Sequence, residues 1–201
     1  MITVTVVTDR MRARGSLPEL CQAAAQAGAD FVQLREKDLE GRALLDLVCA
    51  VVTALAGTST RVLVNGRPDV ALAAGTWGVQ LPEDGLPVAD VKRAFPGLIV
   101  GASRHDAEGA HRAAREGADF VLLGPVFATP GKEQRALGLD GFAAVARTAR
   151  VPVHAIGGID PGVAAAVARA NAAGVAAIRP FLEDPARGVR ELKAALAGVA
   201  V

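Results

Sequence analysis

Tyrosine is absent from the 201-residue sequence, and all aromatic residues together supply only 3% of it. So few aromatic side chains argue against base-stacking platforms and aromatic cages for cations. An excess of charge of one sign is also lacking, because 22 Lys and Arg residues stand against 21 Asp and Glu residues. The near balance argues against a basic surface that binds nucleic acid.

Cysteines and long apolar runs are scarce as well. Cys21 and Cys49 both fall in apolar helical patterns, which predicts two reduced, buried thiols and no disulfide framework. No apolar run approaches the roughly 18 residues that a membrane span requires, and the first residues lack a signal-peptide layout. These features predict a soluble, cytoplasmic protein.

What the sequence does contain is a regular alternation of two kinds of segment. Eight short β-branched runs predict strands at Ile2–Thr8, Phe31–Leu34, Arg61–Val64, Gly78–Leu81, Leu98–Gly101, Phe120–Leu123, Val153–Ile156 and Val175–Ile178. Between them, Ala- and Leu-rich stretches predict helices at about 17–27, 40–56, 68–74, 87–95, 106–116, 140–149, 160–173 and 185–198. Strict alternation is typical of an α/β protein with a parallel sheet.

A near-repeat supports closure of that sheet. Residues 27–34 (AGADFVQL) recur as 116–123 (EGADFVLL) and, more loosely, as 74–81 (AGTWGVQL). In each copy a glycine can end a helix, and a buried strand follows two residues later. Eight such units predict a single (β/α)8 TIM barrel over residues 1–201. A doubly wound open sheet is the alternative, but no Gly-x-Gly-x-x-Gly follows the first strand.

In such a barrel, catalytic groups follow the carboxyl ends of the strands. After the second strand, Gln33, Arg35 and Lys37 share one side of the chain, since side chains alternate in extended backbone. A planar Arg and a point-like Lys together suit a phosphate or diphosphate. The alternative is a solvated salt bridge from either cation to Glu36 or Asp38.

Three further strand ends carry polar side chains. Asn65 could bond a ligand or form a turn with the next glycine, and a carboxylate of Glu83 or Asp84 could bind Mg²⁺ or lie in a solvated acidic loop. Ser103 and His105 follow the fifth strand; His105 is a candidate base, although a local bonding role is equally consistent with the sequence.

The sixth and seventh strands add a second set of anion-binding features. Lys132 follows Thr129 on a Gly/Pro loop that could close over an anionic substrate, and Gly157 and Gly158 precede a helix start. Backbone N–H groups there could cradle a phosphate, or the glycines could serve tight packing. Two anion sites without a nucleophile suit the joining or rearrangement of two phosphorylated small molecules.

At this point the sequence resembles the thiamine phosphate synthase and thiazole tautomerase superfamily. The resemblance covers nearly the whole chain and rests on five segments in order: VQLREK (32–37), NGRPD (65–69), GVQL (78–81), GPVF (124–127) and AIGGI (155–159). That family is a (β/α)8 barrel. Its synthases condense hydroxymethylpyrimidine diphosphate with hydroxyethylthiazole phosphate, with Mg²⁺ assisting loss of diphosphate.

The resemblance implies a role for each matching position. It assigns the pyrimidine to Gln33 and the diphosphate to Arg35, Lys37, Asn65 and Lys132. It makes Asp84 an Mg²⁺ ligand, assigns the thiazole phosphate to Gly157 and Gly158, and completes the substrate-binding set with Ser103, Thr129 and Arg179. The implied partners are the two phosphorylated substrates, not nucleic acid or a membrane, and a homodimer is left open.

Three positions depart from the synthase pattern. Gly66 replaces a second Mg²⁺-binding Asp, Gly131 replaces a loop Thr, and Arg179 replaces a phosphate-binding Ser. The Asn-Gly-Arg segment is closer to the tautomerase branch, yet Pro125 stands where that branch has its catalytic His. The sequence therefore favours a synthase, with a tautomerase-like enzyme or a non-catalytic phosphate-binding paralogue as alternatives.

Overall fold

The computed structural model describes residues 2–129 and 136–199. Eight parallel strands pair in chain order, and the eighth pairs with the first, so the sheet closes into a barrel. A helix follows each strand and packs on the outside of the sheet. The predicted (β/α)8 barrel is therefore confirmed.

The elements lie close to the predicted segments. The strands are β1 (Thr3–Val7), β2 (Phe31–Leu34), β3 (Arg61–Asn65), β4 (Gly78–Leu81), β5 (Ile99–Arg104), β6 (Phe120–Leu123), β7 (Val153–Ile156) and β8 (Gly174–Ala177). The helices are α1 (Leu17–Gln26), α2 (Gly41–Ala54), α3 (Pro68–Ala73), α4 (Val88–Ala94), α5 (Ala107–Arg115), α6 (Gly138–Thr148), α7 (Pro161–Arg169) and α8 (Pro185–Leu196). None of the helices in the described ranges combines the length and the apolar character needed to cross a membrane.

The fifth strand differs most from its prediction, because β5 continues three residues beyond Gly101. Ser103 and Arg104, expected in the following loop, pair in register with Leu122 and Leu123 of β6. The polar character of these two residues suggested a loop. They stay in the strand because the Ser103 hydroxyl accepts a lumenal hydrogen bond and the buried Arg104 side chain donates to the Ser103 carbonyl at 2.7 Å.

Alternation along the strands creates two buried layers. Val4 and Val6 of β1 belong to the large cluster between the sheet and the helices. Their neighbour Val7 belongs to a small lumenal cluster with Leu122 and Ala176. The outer layer stabilises the barrel, while the inner layer sets the chemistry of its mouth.

The near-repeat has a structural cause in its aspartates. Asp30 and Asp119 each accept a 2.7 Å hydrogen bond from a backbone N–H of the preceding strand, β1 or β5. Each also pairs with a lysine, Lys193 at 2.5 Å and Lys92 at 3.0 Å. The aspartate of each Gly-Ala-Asp therefore connects the start of β2 or β6 to the preceding strand. The two aspartates also pair with two of the four lysines in the sequence.

A tight contact in the lumen gives a stability prediction. A Cβ on Gly174 would lie 2.2 Å from the Thr3 Oγ1 and 2.8 Å from the His154 Nδ1. We expect Gly174→Ala to reduce the free energy of unfolding by about 1–3 kcal/mol, the usual cost of overpacking. Urea denaturation measures it, with Gly97→Ala as the control, because nothing lies within 4 Å of a Cβ there. Equal stability of the two variants would contradict the packing.

The cysteine prediction is half right. Cys21 of α1 is buried, and burial, helped by the charge of Glu36, raises the pKa of its thiol to about 12. Cys49 was expected to be buried and is exposed on α2. The buried positions of that helix are Leu44, Val48 and Val51, so Cys49 lies beside the apolar stripe and not in it.

Candidate active site

One half of the barrel mouth is polar. On β2 and β3, Gln33 donates to the Asn65 Oδ1 at 3.1 Å, and on β4 and β5, Gln80 donates to the Ser103 Oγ at 2.9 Å. The Oε1 atoms of both glutamines are buried and have no hydrogen-bond partner among the described residues. Buried acceptors of this kind are rare, and an N–H group of a bound ligand would satisfy them.

The other half of the lumen is apolar. Val7, Leu122 and Ala176 form a buried cluster, and Ile156 and Ile178 pack against it. These residues come from β1, β6, β7, β8 and the position directly after β8. The mouth therefore offers hydrogen bonds on the β2–β5 side and an apolar wall on the opposite side, which suits two ring systems of different polarity.

Arg35 directly follows β2, whereas Lys37 lies in a turn at residues 37–38, so the strand alternation expected from the sequence does not extend to Lys37. The expected alternative, a salt bridge to Glu36 or Asp38, is not observed, because Arg10 contacts both carboxylates. Within residues 2–129 and 136–199, neither Arg35 nor Lys37 forms an ion pair. The two positive charges therefore remain available to an anionic ligand.

Asp84 lies exposed in the loop after β4, as expected from the sequence. In the described part of the chain, no three His, Cys, Asp or Glu side chains converge as a protein metal site would require. Mg²⁺ is commonly held by one or two carboxylates, with substrate phosphates and water completing its shell. A single carboxylate at Asp84 fits that arrangement, so the residues are compatible with Mg²⁺ shared with a diphosphate.

The loop that carries Asp84 is anchored by its neighbour Glu83. The Glu83 carboxylate lies 3.8 Å from the Nε of Arg104 and 3.4 Å from a terminal nitrogen of Arg112. Arg104 is only 5% exposed, so its buried side chain supports the loop from below. The carboxylate of Glu83 is therefore engaged, whereas the Asp84 carboxylate forms no ion pair with any residue of the described ranges.

Gly157 and Gly158 pack tightly against the segment after β6. A Cβ on Gly157 would lie 2.5 Å from the Pro125 Cα, and a Cβ on Gly158 would lie 2.6 Å from the Phe127 Cβ. Both glycines have positive φ. The Phe127 N–H donates to the Gly157 carbonyl at 3.0 Å. Close packing therefore accounts for both glycines, and phosphate binding is an additional role that remains a prediction.

The amino end of α7 does not offer the free N–H groups that the sequence suggested. Asp160 caps this helix, and its carboxylate accepts from Gly162 at 2.8 Å and Val163 at 3.2 Å. A carboxylate on those donors occupies the place that a phosphate would take. A phosphate at this edge must instead use Gly157 and Gly158 or the residues after β8.

Arg179 begins a short 3₁₀ helix (Arg179–Phe181) directly after β8 and is exposed. It lines a cleft of about 320 Å³ together with Ile159–Pro161 of the β7–α7 connection and with Glu183 and Arg187. The structure therefore places Arg179 beside the loop that contains the two glycines. Many barrels bind phosphate between the loops after strands seven and eight.

The three histidines have distinct surroundings. His105 contacts the Gly124 carbonyl through Nδ1, so the local bonding expected as the alternative to a base is present. His111 of α5 is hydrogen-bonded to Thr148 of α6 through Nε2. His154 is buried in the lumen with its ring centroid 5.0 Å from that of Phe120, and burial lowers its pKa to about 4.

The loop after β6 is described only to Thr129, which is half-buried. Lys132 and Gly131 lie outside the described residues, so their expected roles remain predictions from the sequence.

Comparison with known proteins decides the family. The family model described as thiamine monophosphate synthase matches residues 4–181. The chain belongs to the thiamine monophosphate synthase family. A thiamine-phosphate synthase of Roseiflexus castenholzii is 40% identical over 94% of this chain and 86% of its own length. One of Methanoculleus marisnigri is 42% identical over 86% of this chain and 84% of its own length.

A solved structure agrees with the family assignment. Thiamine phosphate pyrophosphorylase from Pyrococcus furiosus superposes with a TM-score of 0.91 at 31% identity, covering 100% of this chain and 98% of that one. The superposition extends over every described element of this thiamine monophosphate synthase family member.

Two site features of this family member escaped the sequence analysis. Gln80 was not singled out, although the near-repeat aligns it with Gln33, and that alignment could have identified it. The contacts of Thr8, Arg10 and Glu36 could not be anticipated, because Glu36 lies 28 and 26 residues along the chain from the other two.

Proposed function

We propose that this chain condenses hydroxymethylpyrimidine diphosphate with hydroxyethylthiazole phosphate to form thiamine phosphate and diphosphate. The observation that carries the proposal is the pair of cations, Arg35 and Lys37, whose acidic neighbours Glu36 and Asp38 are both engaged by Arg10. Family membership supports the same reaction.

The polar half of the mouth suits the pyrimidine diphosphate. Gln33 carries a buried, unpartnered Oε1 that can accept from a pyrimidine amino group. Because the Asn65 Oδ1 accepts from Gln33, its amide NH₂ is left to donate to a diphosphate oxygen beside Arg35 and Lys37. Ser103 supports the polar wall, and Thr129 and Lys132 would approach from the loop after β6.

The apolar half suits the thiazole phosphate. The thiazole ring would pack on Leu122 and Ile156, and its phosphate would lie at Gly157 and Gly158, with Arg179 adding a positive charge. This orientation directs the thiazole nitrogen toward the pyrimidine methylene across the mouth.

The chemistry needs neither a nucleophilic side chain nor a base. The bond between the methylene carbon and the diphosphate oxygen breaks, and diphosphate leaves with the bonding electrons. The nitrogen lone pair of the thiazole then forms the new C–N bond, and no proton is lost. Arg35 and Lys37 stabilise the charge that develops on the departing oxygens, which is the main catalytic contribution of this site.

Mg²⁺ is the proposed cofactor, and Asp84 would hold it at the mouth. When bound, it neutralises charge on the diphosphate and so favours its departure. With glycine at position 66, this chain supplies one carboxylate where the family pattern has two.

Restoring the second carboxylate tests the metal assignment. Gly66 has a φ of +70°, which Asp tolerates better than most residues, and the nearest atom to a Cβ there is the Pro82 Cδ at 3.7 Å. We expect Gly66→Asp to lower the Mg²⁺ concentration for half-maximal turnover about tenfold, measured by Mg²⁺ titration. Gly66→Asn, which fits equally well without charge, should not change it, and identical titrations for both variants would argue against metal at this edge.

Product analysis tests the proposed reaction. Incubation of the purified chain with both substrates and Mg²⁺ should yield thiamine phosphate and equimolar diphosphate, separated by chromatography. Isomerisation of thiazole carboxylate phosphate without coupling would favour the tautomerase-like alternative. Binding of thiazole phosphate by calorimetry without either product would favour a non-catalytic paralogue. The cytoplasmic location stays a prediction from the sequence, and the sequence leaves a homodimer open.

A further inference from the structure

The residue between the two cations is a buried acid. Only 2% of the Glu36 side chain is exposed, and it accepts a 2.9 Å hydrogen bond from the backbone N–H of Arg10 and another from the Thr8 hydroxyl. It follows the helix-facing residues Val32 and Leu34 at the same spacing of two residues, and its charge contributes to the raised pKa of Cys21 on α1. Strand alternation then places Arg35 on the opposite side, toward the mouth, and Lys37 follows in the turn at residues 37–38.

The Thr8 hydroxyl also extends the pairing of β1 with β2. The last regular ladder bond there is from the Thr8 N–H to the Gln33 carbonyl at 3.0 Å. The next donor, the Arg35 N–H, meets the Thr8 Oγ1 at 3.0 Å, where a regular ladder would supply the Thr8 carbonyl. The hydroxyl therefore holds the backbone of Arg35 in line beyond the end of the strand.

Arg10 completes the arrangement by engaging the acids on both sides of Lys37. Its Nε lies 4.0 Å from a Glu36 carboxylate oxygen, and its terminal nitrogen contacts Asp38. Without the Arg10 side chain, the Asp38 carboxylate would be free to attract Arg35 and Lys37, and the charge of Glu36 would be less neutralised, so both acids would reduce the attraction of the two cations for an anion.

We infer that Thr8, Arg10 and Glu36, here called the Glu36 clamp, are positioning residues for the diphosphate site. The clamp fixes the backbone of Arg35 and keeps Glu36 and Asp38 from neutralising the two cations. This inference rests on the proposed function only in assigning a diphosphate to Arg35 and Lys37. Its test therefore uses inorganic pyrophosphate binding, which does not depend on turnover.

The first test removes the Thr8 hydroxyl without changing any charge. We expect Thr8→Val to weaken pyrophosphate binding about tenfold in calorimetry, and Thr8→Ser, which keeps the hydroxyl, to restore it to within about twofold. In turnover, KM for the pyrimidine diphosphate should rise with Thr8→Val and recover with Thr8→Ser. Circular dichroism establishes that each variant is folded.

The second test holds even where Thr8→Val fails to fold. Arg10→Gln should weaken pyrophosphate binding about tenfold, and adding Asp38→Asn should restore most of it, because the released acid is then gone. Arg12→Gln, in the same loop and 55% exposed, is the control for loss of one charge and should bind as wild type does. A double variant as weak as Arg10→Gln would overturn the shielding role.

The outcomes separate the two proposals. Wild-type chain that does not bind pyrophosphate would contradict the diphosphate site itself. Wild-type binding that neither Thr8→Val nor Arg10→Gln weakens would overturn the clamp alone. Binding weakened as expected in a chain that forms no thiamine phosphate would support the clamp and contradict the proposed reaction.

Discussion

Arg35→Ala is expected to reduce kcat/KM for thiamine phosphate formation about 100-fold or more while leaving the melting temperature nearly unchanged. A hydrogen bond to a charged group contributes about 1.5–3 kcal/mol, and the transition state carries more charge on the departing diphosphate than the substrate does. Stability should hardly change, because Arg35 is half-buried and forms no ion pair with the described residues. Steady-state kinetics and thermal unfolding measure the two effects.

The matched control for this variant is Arg42→Ala. Arg42 is 84% exposed on α2 and pairs at 3.9 Å with Asp46 on the same helix. Its removal should leave kinetics and melting temperature unchanged, since exposed pairs contribute little. Full activity of Arg35→Ala would show that the diphosphate lies elsewhere.

The second large effect is a loss of stability in acid caused by His154. Burial in the lumen lowers its pKa to about 4 in the folded protein, against 6.5 for an ordinary histidine, and the charge of Asp30 opposes that shift only in part. The unfolded chain binds a proton near pH 6.5, but the folded chain does not. The stability from His154 is therefore complete above about pH 6.5 and is lost progressively as the pH falls toward 4.

The size of the effect follows from the separation of the two pKa values. It corresponds to roughly 3 kcal/mol between pH 6.5 and 4. Urea denaturation across this range should show His154→Leu losing that much less stability than wild type. His111→Gln, at a surface histidine bonded to Thr148, should keep the wild-type dependence. Parallel curves for wild type and His154→Leu would show that another group causes the acid sensitivity.

Much of the barrel could be predicted because its strands are bounded by strong local signals. The bounds of β2, β4, β6 and β7 agree with the prediction to the residue, and in β2 and β6 the repeated Gly-Ala-Asp marks the start. The end of β5 could not be predicted, because Ser103 and Arg104 are held there by contacts to other residues and not by their own propensity.

The candidate site also has features that local sequence predicts and features that depend on contacts between distant residues. The placement of Gln33, Asn65 and Ser103 at one mouth follows from closing the barrel, because parallel strands end at the same edge. The sequence does not predict which acidic side chains pair with which basic side chains. Arg10 reaches acids 26 and 28 residues away, and only the folded chain brings them together.

The helix start after Gly158 carries a capping signal that the sequence analysis did not use. Asp160 followed by Pro161 is a typical N-cap and first-turn pair, which predicts a capped helix from the sequence alone. A capped amino end has little capacity left for a phosphate. Phosphate binding by Gly157, Gly158 and Arg179 stays a prediction, and it does not include the first N–H groups of α7.

The most direct test of the account is a crystal structure of the chain with thiamine phosphate, pyrophosphate and Mg²⁺. We expect pyrophosphate at the end of β2, contacting Arg35 and Lys37, with Mg²⁺ at Asp84 and the phosphate of thiamine phosphate at Gly157 and Gly158. Pyrophosphate bound at the β7–β8 edge instead, or a lumen that excludes thiamine phosphate, would contradict the division of the mouth into a polar diphosphate side and an apolar thiazole side.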